Sequence, residues 1–300
     1  MFRGRKGDLG CLAPHGRDKL RSSKERPAFM SDDLPLSGLT AVCMAANVPG
    51  PAAAALLAAQ GMAVVKIEPP SGDMTAHAMP QWYAELNRAA RIETVDLRSG
   101  AGQARFRELL EGADLLISSH RRAALGRLGI TAPALAQVNP RLAWVEIVGD
   151  EDAPDVPGHD LTYQASAGLL DGRMPRTVIA DMAGAEAAAR SAVTLLLARE
   201  RGRPQRHAAV GLRQAAERFA APVRHGITVA DGLLSGASPD YAIHHLRDGL
   251  VACAALEPHF STRLAEVAGR DIPGFFSRLT VAECRRLATE RDLPLEPFSA

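Results

Sequence analysis

The stretch "VPGHDLTYQASAGLL", residues 156–170, sets His159 and Asp160 side by side directly after a Pro-Gly breaker, where a helix is expected to begin. Adjacent histidine and aspartate offer a carboxylate with a base beside it, the pairing that nucleophilic or proton-transfer chemistry needs. An aspartate at a helix start has a second use, accepting hydrogen bonds from the free amides of the first turn, which contributes roughly 1 kcal/mol. On this stretch alone the two readings stand level. A second chemical signal is cationic: Arg98 in "VDLRSG" and Arg121, Arg122 and Arg127 in "ISSHRRAALGRLG" suit a phosphate-bearing ligand, because a guanidinium presents several donors in a fixed plane. The other histidines, including His120, His207, His225 and the pair His244 and His245, lack metal-ligand spacing and read as surface or packing residues. The four cysteines, Cys11, Cys43, Cys253 and Cys284, are far apart and form no CxxC pair, so neither a metal site nor a disulfide framework is expected and a reducing cytosol is implied.

Elements able to position these groups are visible in the apolar pattern. From Leu39 the chain reads "TAVCMA", a helical "PAAAALLAAQG" stopped by Gly61, and "MAVVKIEPP" stopped by two prolines, which is a βαβ unit. The alternation continues through "IETVDL", "GQARFRELLEGA", "DLLISS", "PALAQVNP" and "LAWVEIVG", predicting an α/β fold with a Rossmann-like, mainly parallel sheet. Ligands of such sheets gather beyond the carboxyl ends of the strands, so "KIEPPSGD", "VDLRSG", "ISSHRRAALGRLG" and the loop leading to "PGHD" are the candidate site loops. The first turn, "ANVPGPA", is not G-x-G-x-x-G, and Pro49 and Pro51 remove amides that a dinucleotide pyrophosphate would use, which argues against nicotinamide or flavin.

Composition excludes further classes. A formal net charge of +1 provides no global field for nucleic acid, and the few aromatics do not alternate with basic residues. No apolar run approaches the ~20 residues of a membrane span; even Ala192 to Ala198 is stopped by Arg199, Glu200 and Arg201. Residues 1–30 are basic, without apolar periodicity, and carry Asp8, Asp18 and Glu25, so a disordered tail is expected rather than a signal or transit peptide, with Met30 an alternative start.

In order and spacing the blocks resemble the family III CoA-transferases, which include formyl-CoA transferase, carnitine CoA-transferase and α-methylacyl-CoA racemase. The resemblance runs through "PLSGLTAV", "PGPAAAALLAAQGMAVVKIEPPSGD", "LNRAARIETVDLRS", "LGRLGI", "VNPRLAWVEIVG", "PGHDLTYQASAGLL", "TVIADMAGAEAAARSAVTLLLARERGRPQ" and "DGLVACAALEPHF", covering nearly everything from Leu34 onward. It implies a large CoA-binding unit over 31–221, and over 222–300 a linker with a smaller α+β domain shortened at its C-terminus. It also implies a cytoplasmic enzyme whose substrates are coenzyme A in acyl-CoA form and a carboxylic acid acceptor, with no metal, nicotinamide or flavin. Asp160 stands at the position of the transferase nucleophile. It would attack an acyl-CoA thioester to give a mixed anhydride and free thiolate, and the thiolate would return to form an aspartyl-CoA thioester. Gln164 and the "QASAG" helix look transferase-like.

The racemases of the same family use a different set, which the sequence also matches: His159, Asp181 in "IADMAG" and Glu257 in "ALEP". Locally, Asp181 reads equally as a cap on a helix from Met182, and Glu257 as a capping partner of a helix from Pro258. A non-catalytic acyl-CoA-binding homologue is the third reading. For CoA the strand-end loops put forward Glu68, Leu97, Arg98, Arg121 and Arg127. An interlocked homodimer is implied, looser than usual, with residues after Arg270 crossing back once to the large domain. Two departures bear on chemistry. The loop before Asp160 carries Asp150, Glu151, Asp152 and Asp155 in place of a glycine-rich stretch, and these carboxylates would repel an acceptor acid and raise the pKa of Asp160. Pro69 occupies a position where family members often carry an arginine.

Overall fold

The computed structural model describes residues 34–299; the basic tail, Met30 and Cys11 lie outside them. Six parallel strands form the main sheet: β1 (Thr40–Cys43), β2 (Ala63–Glu68), β3 (Ala90–Thr94), β4 (Leu115–Ser118), β5 (Ala143–Val148) and β6 (His207–Gly211). Their spatial order is β3-β2-β1-β4-β5-β6, with Val42 of β1 opposite Val65 on one side and Leu116 on the other. Chain direction across the sheet reverses between β1 and β4, opening a crevice at their carboxyl ends, where ligands of this architecture bind.

Both faces are covered because the central strands are apolar on both sides. Over one face lie α1 (Pro49–Ala58) and, farther along the chain, the long helix over Ile179–Glu200; Ala41, Cys43, Leu115, Ile117, Val145 and Ile147 point toward them. Between these helices come α2 (Met74–Ala78), α3 (Pro80–Leu86), α4 (Gly100–Glu111), α5 (Arg122–Arg127), α6 (Ala132–Val138) and α7 (Asp160–Ser166). Phe106 and Leu110 of α4, Leu125 of α5 and Leu135 of α6 pack with Val42, Val65, Leu116 and Trp144 on the opposite face. The turn into α1 is tight: Asn47 has φ +64°, and a Cβ on Gly50 would stand 2.1 Å from that of Ala45. Pro49 then starts the helix, where its missing N–H costs no hydrogen bond.

Helix α8 (Ile179–Glu200) is apolar over most of its circumference, with Ala180, Ala183, Ala185, Ala187, Ala188, Ala189 and Ala192 buried. Those small residues let it approach the sheet and α9 (Leu212–Phe219) closely; a Cβ on Gly184 would meet Leu212 Cδ2 at 2.2 Å. The helix begins three residues earlier than the expected start at Met182, so Asp181 lies inside its first turn and is not its cap. No helix among the described residues is long and apolar enough to cross a membrane.

After α10 (Ala221–Arg224) a non-regular segment leads to an antiparallel sheet of β7 (Tyr241–His245), β8 (Leu250–Ala254) and β9 (Leu295–Phe298). Helices α11 (Pro258–Ala268), α12 (Ile272–Phe276) and α13 (Val281–Arg291) pack on it around a separate core of Val251, Cys253, Leu264, Phe276, Cys284 and Leu295. Thr280 and Glu283 close a reciprocal capping box at the start of α13. The expected return to the large sheet after Arg270 is absent among the described residues. Ile272 and Phe276 of α12, Cys284 of α13 and Leu295 of β9 fill this second core.

Candidate active site

The loop from β5 to α7 folds back over Tyr163, whose hydroxyl lies so close to Gly149 and Gly158 that a Cβ there would be 2.1 and 2.5 Å from it. Glycine at both positions lets the chain deliver Asp160 to the first turn of α7, nearly buried at 8% exposure. Its carboxylate does cap a helix, but not its own. Oδ1 accepts from the amides of Ala180 (2.8 Å) and Asp181 (3.1 Å), and Oδ2 accepts from Gln164 Nε2 (2.6 Å), which also donates to Thr177 O. Val178, the residue before α8, has no side chain able to cap. Asp160 therefore supplies from another helix what α8 lacks, and two helix N-termini meet at one carboxyl group, a position the helix dipoles favour for an acidic side chain.

Asp160 acts on its neighbour. Burial and then the charge of Asp160 push the Asp181 carboxyl up to about 7, so near neutrality it holds a proton for a large fraction of the time. Asp181 and the exposed His159 line one cleft of about 240 Å³ at the carboxyl ends of β1, β4 and β5, together with His120 and Arg121. Asp160 is not part of its wall. The backbone N–H of His159 is held by the Thr162 hydroxyl at 3.1 Å, which fixes the turn that presents its ring.

None of the four carboxylates of the acidic loop lines this cleft, and each is bonded elsewhere. Arg213 of α9 holds Asp150 through two bonds (2.7 and 3.0 Å) and Asp152 through one (2.7 Å), and Gln214 donates to Asp150 at 2.8 Å. The Asp150 carboxyl is kept well below the usual range, chiefly by that guanidinium. Glu151 accepts from the Gly211 amide and Asp155 from the Ala123 amide. With its carboxylates tied to β6, α9 and α5, the loop turns Pro154, Val156 and Pro157 toward the cleft, an apolar wall.

A second cleft, about 280 Å³, lies beside the first at the ends of β2, β3 and β4 and brings together Glu68, Pro69, Leu97, Arg98 and Leu128. Glu68 in its wall belongs to a paired network outside the cleft: fully buried Lys66 bridges Glu68 (2.8 Å) and Asp73 (2.7 Å), and the Tyr83 hydroxyl donates to Glu68 (2.7 Å). Arg98 stands out toward solvent against Asp96. Arg122 is spent on fully buried Glu146 of β5, with two Nε contacts and one from Nη2, and His207 adds a second partner to that carboxylate at 3.2 Å. Arg127, exposed in the last turn of α5, lines neither cleft. Glu257 precedes α11 in the second sheet unit, exposed and without a capping bond from its side chain, and it lines neither cleft. The residue that sequence reasoning passed over is His120, which lines both clefts. Its position directly after β4, in a loop already marked by its arginines, was the available signal.

Comparison with known proteins agrees with this architecture. The model of CoA-transferase family III matches residues 36–293. Succinate–glutarate CoA-transferase of Agrobacterium fabrum is 31% identical over 153 residues, covering 45% of this chain and 38% of the relative. Human α-methylacyl-CoA racemase is 29% identical over 160 residues, covering 50% and 40%. The chain thus spans less than half the length of these curated relatives. The crystal structure of Rv3272 from Mycobacterium tuberculosis superposes with a TM-score of 0.77 at 21% identity, covering 89% of this chain and 83% of that one, a likeness of fold.

Proposed function

The chain belongs to CoA-transferase family III, and on that premise we propose that its paired clefts bind an acyl-CoA and that proton transfer at the carbon beside the thioester is the chemistry the geometry supports best. The observation that carries this reading is the contrast at α8: Asp181 lines the cleft with a carboxyl poised at about 7, together with His159, while Asp160 is turned into the helix N-terminus. In one direction the neutral imidazole of His159 removes the α-proton, leaving its electron pair in the thioester enolate, and protonated Asp181 returns a proton to the same carbon. Reversal exchanges the roles, so the configuration at that carbon is lost. The apolar wall of Pro154, Val156 and Pro157 suits a hydrocarbon acyl branch.

The test is incubation of a single-configuration 2-methylacyl-CoA with the protein in deuterated water. Deuterium should enter at C2 as optical purity falls. Absence of exchange with several such substrates, under conditions where binding is measured, overturns the reading.

CoA transfer through Asp160 is the second reading, supported by the transferases among the relatives and by the buried position of Asp160. It requires the carboxylate to leave the Ala180 and Asp181 amides before attacking a thioester, with a carboxylic acid as final acceptor. Hydroxylamine distinguishes the two, because an acylated or CoA-loaded Asp160 gives a hydroxamate at that residue and proton exchange does not. A protein that binds CoA and does neither reaction is a binding homologue. We further propose a cytoplasmic homodimer, in which Glu257 of one copy would approach the cleft of the other; a monomer by light scattering at micromolar concentration opposes it.

A further inference from the structure

A ligand long enough to occupy both clefts must pass His120, because its side chain belongs to the wall of each. Arg121 beside it is exposed, but the other flanking residues are committed. Ser118 Oγ accepts from Trp144 Nε1 at 2.9 Å, and Ser119 Oγ accepts from the Ala46 amide at 3.1 Å. Arg122 is locked to Glu146, and the Ala123 amide donates to Asp155. Among the buried side-chain polar atoms of the described residues, only His120 Nδ1 and Arg206 Nε have no hydrogen-bond partner, and Arg206 lines neither cleft. Burial also lowers the pKa of the imidazole, leaving it neutral, with one donor and one acceptor. Buried polar atoms in folded proteins are almost always paired, and a histidine kept only for packing would be better replaced by an apolar ring that carries no desolvation cost.

We propose that His120 is a ligand-binding residue at the junction of the clefts, hydrogen-bonding the amide-bearing pantetheine arm that connects the phosphates of CoA to the thioester. This rests on the acyl-CoA reading above. The arm offers amide donors and acceptors, which match a neutral imidazole better than a charged one. A half-turn of the ring about Cβ–Cγ brings Nδ1 out of its buried position without moving the pinned backbone on either side.

The experiment compares two probes by calorimetric titration: CoA, and 3′-phosphoadenosine 5′-diphosphate, which keeps the phosphates and lacks the pantetheine arm. His120→Phe should weaken CoA binding roughly tenfold, the loss of about one hydrogen bond, and leave the second probe unchanged. His120→Gln should recover most of the lost affinity. The thermal midpoint of ligand-free His120→Phe should equal or exceed that of the parent, since an unpaired buried nitrogen has been removed. Unchanged CoA affinity in His120→Phe, an equal loss for both probes, or a Gln variant no better than Phe overturns the inference. If the parent binds the second probe but gains nothing from the arm, the inference also falls. If the parent binds neither probe, the acyl-CoA reading falls first and this one with it.

Discussion

The two clefts share a sheet and a histidine, yet they treat charge in opposite ways. At the cleft by the ends of β2 and β3, the wall residue Glu68 is held, together with Asp73, by the buried ammonium of Lys66 at 2.7–2.8 Å. In the cleft between α7 and α8, Asp181 has no cation against it and sits beside a second carboxylate, so its proton is retained. Paired charges build a fixed wall, whereas an unpaired group with a shifted pKa stores a transferable proton. The difference separates scaffold from chemistry more sharply than the residue types do, since both clefts contain buried acids.

The comparison breaks most visibly at Asp181. Asp181→Asn keeps the volume and removes the proton, and should lower α-proton exchange by ~10²- to 10⁴-fold with CoA affinity unchanged by titration. A parent-like exchange rate would return Asp181 to a structural role. On the paired side, Lys66→Met should leave Glu68 and Asp73 without their cation and cost about 3–5 kcal/mol of folding stability in urea titration. A loss below 1 kcal/mol would mean that water reaches those carboxylates.

The next effect is a pH dependence of smaller size. The folded-state pKa of Asp181, about 7, lies above its ordinary value of 3.8, so the folded chain holds that proton more tightly than the unfolded chain. Its contribution is fully present below about pH 4 and is lost as pH rises to about 7, amounting to ~2–4 kcal/mol over the window. Asp181→Asn should flatten that limb of the stability profile and make the variant more stable than the parent at pH 8. The smallest effect belongs to Arg98, whose side chain is 81% exposed against Asp96. Arg98→Ala should leave the thermal midpoint unchanged, and CoA binding should lose several-fold affinity and part of its salt dependence.

The parallel sheet was legible because its strands are continuous apolar runs between glycine and proline stops, a local pattern. What escaped depended on pairs distant in sequence. The start of α8 was placed three residues late because its cap is Asp160, about twenty residues upstream and on a different helix. The acidic loop looked repulsive because Arg213, about sixty residues on, is invisible from residues 150–155. Arg122 was grouped with phosphate-binding arginines, although Glu146 in the middle of β5 claims it. His120 is not singled out by residue type; its strand-end loop is a sequence signal, and its place between two cavities is visible only in the fold. Family resemblance names Asp160 for CoA transfer and His159, Asp181 and Glu257 for proton exchange; the chain brings His159, Asp160 and Asp181 to one helix junction, while Glu257 and Arg127 lie elsewhere.

The bond from Asp160 to the first amides of α8 also makes that helix a reporter. Any reaction that esterifies or otherwise neutralises this carboxylate strips the helix of its anchor, so bond making at one atom is translated into loosening of the backbone at Ala180 and Asp181. Amide hydrogen exchange at those two positions would quicken when a covalent adduct forms and stay slow during proton shuttling. The two chemistries would then be distinguishable by the mobility of a single helical turn, before any product is identified.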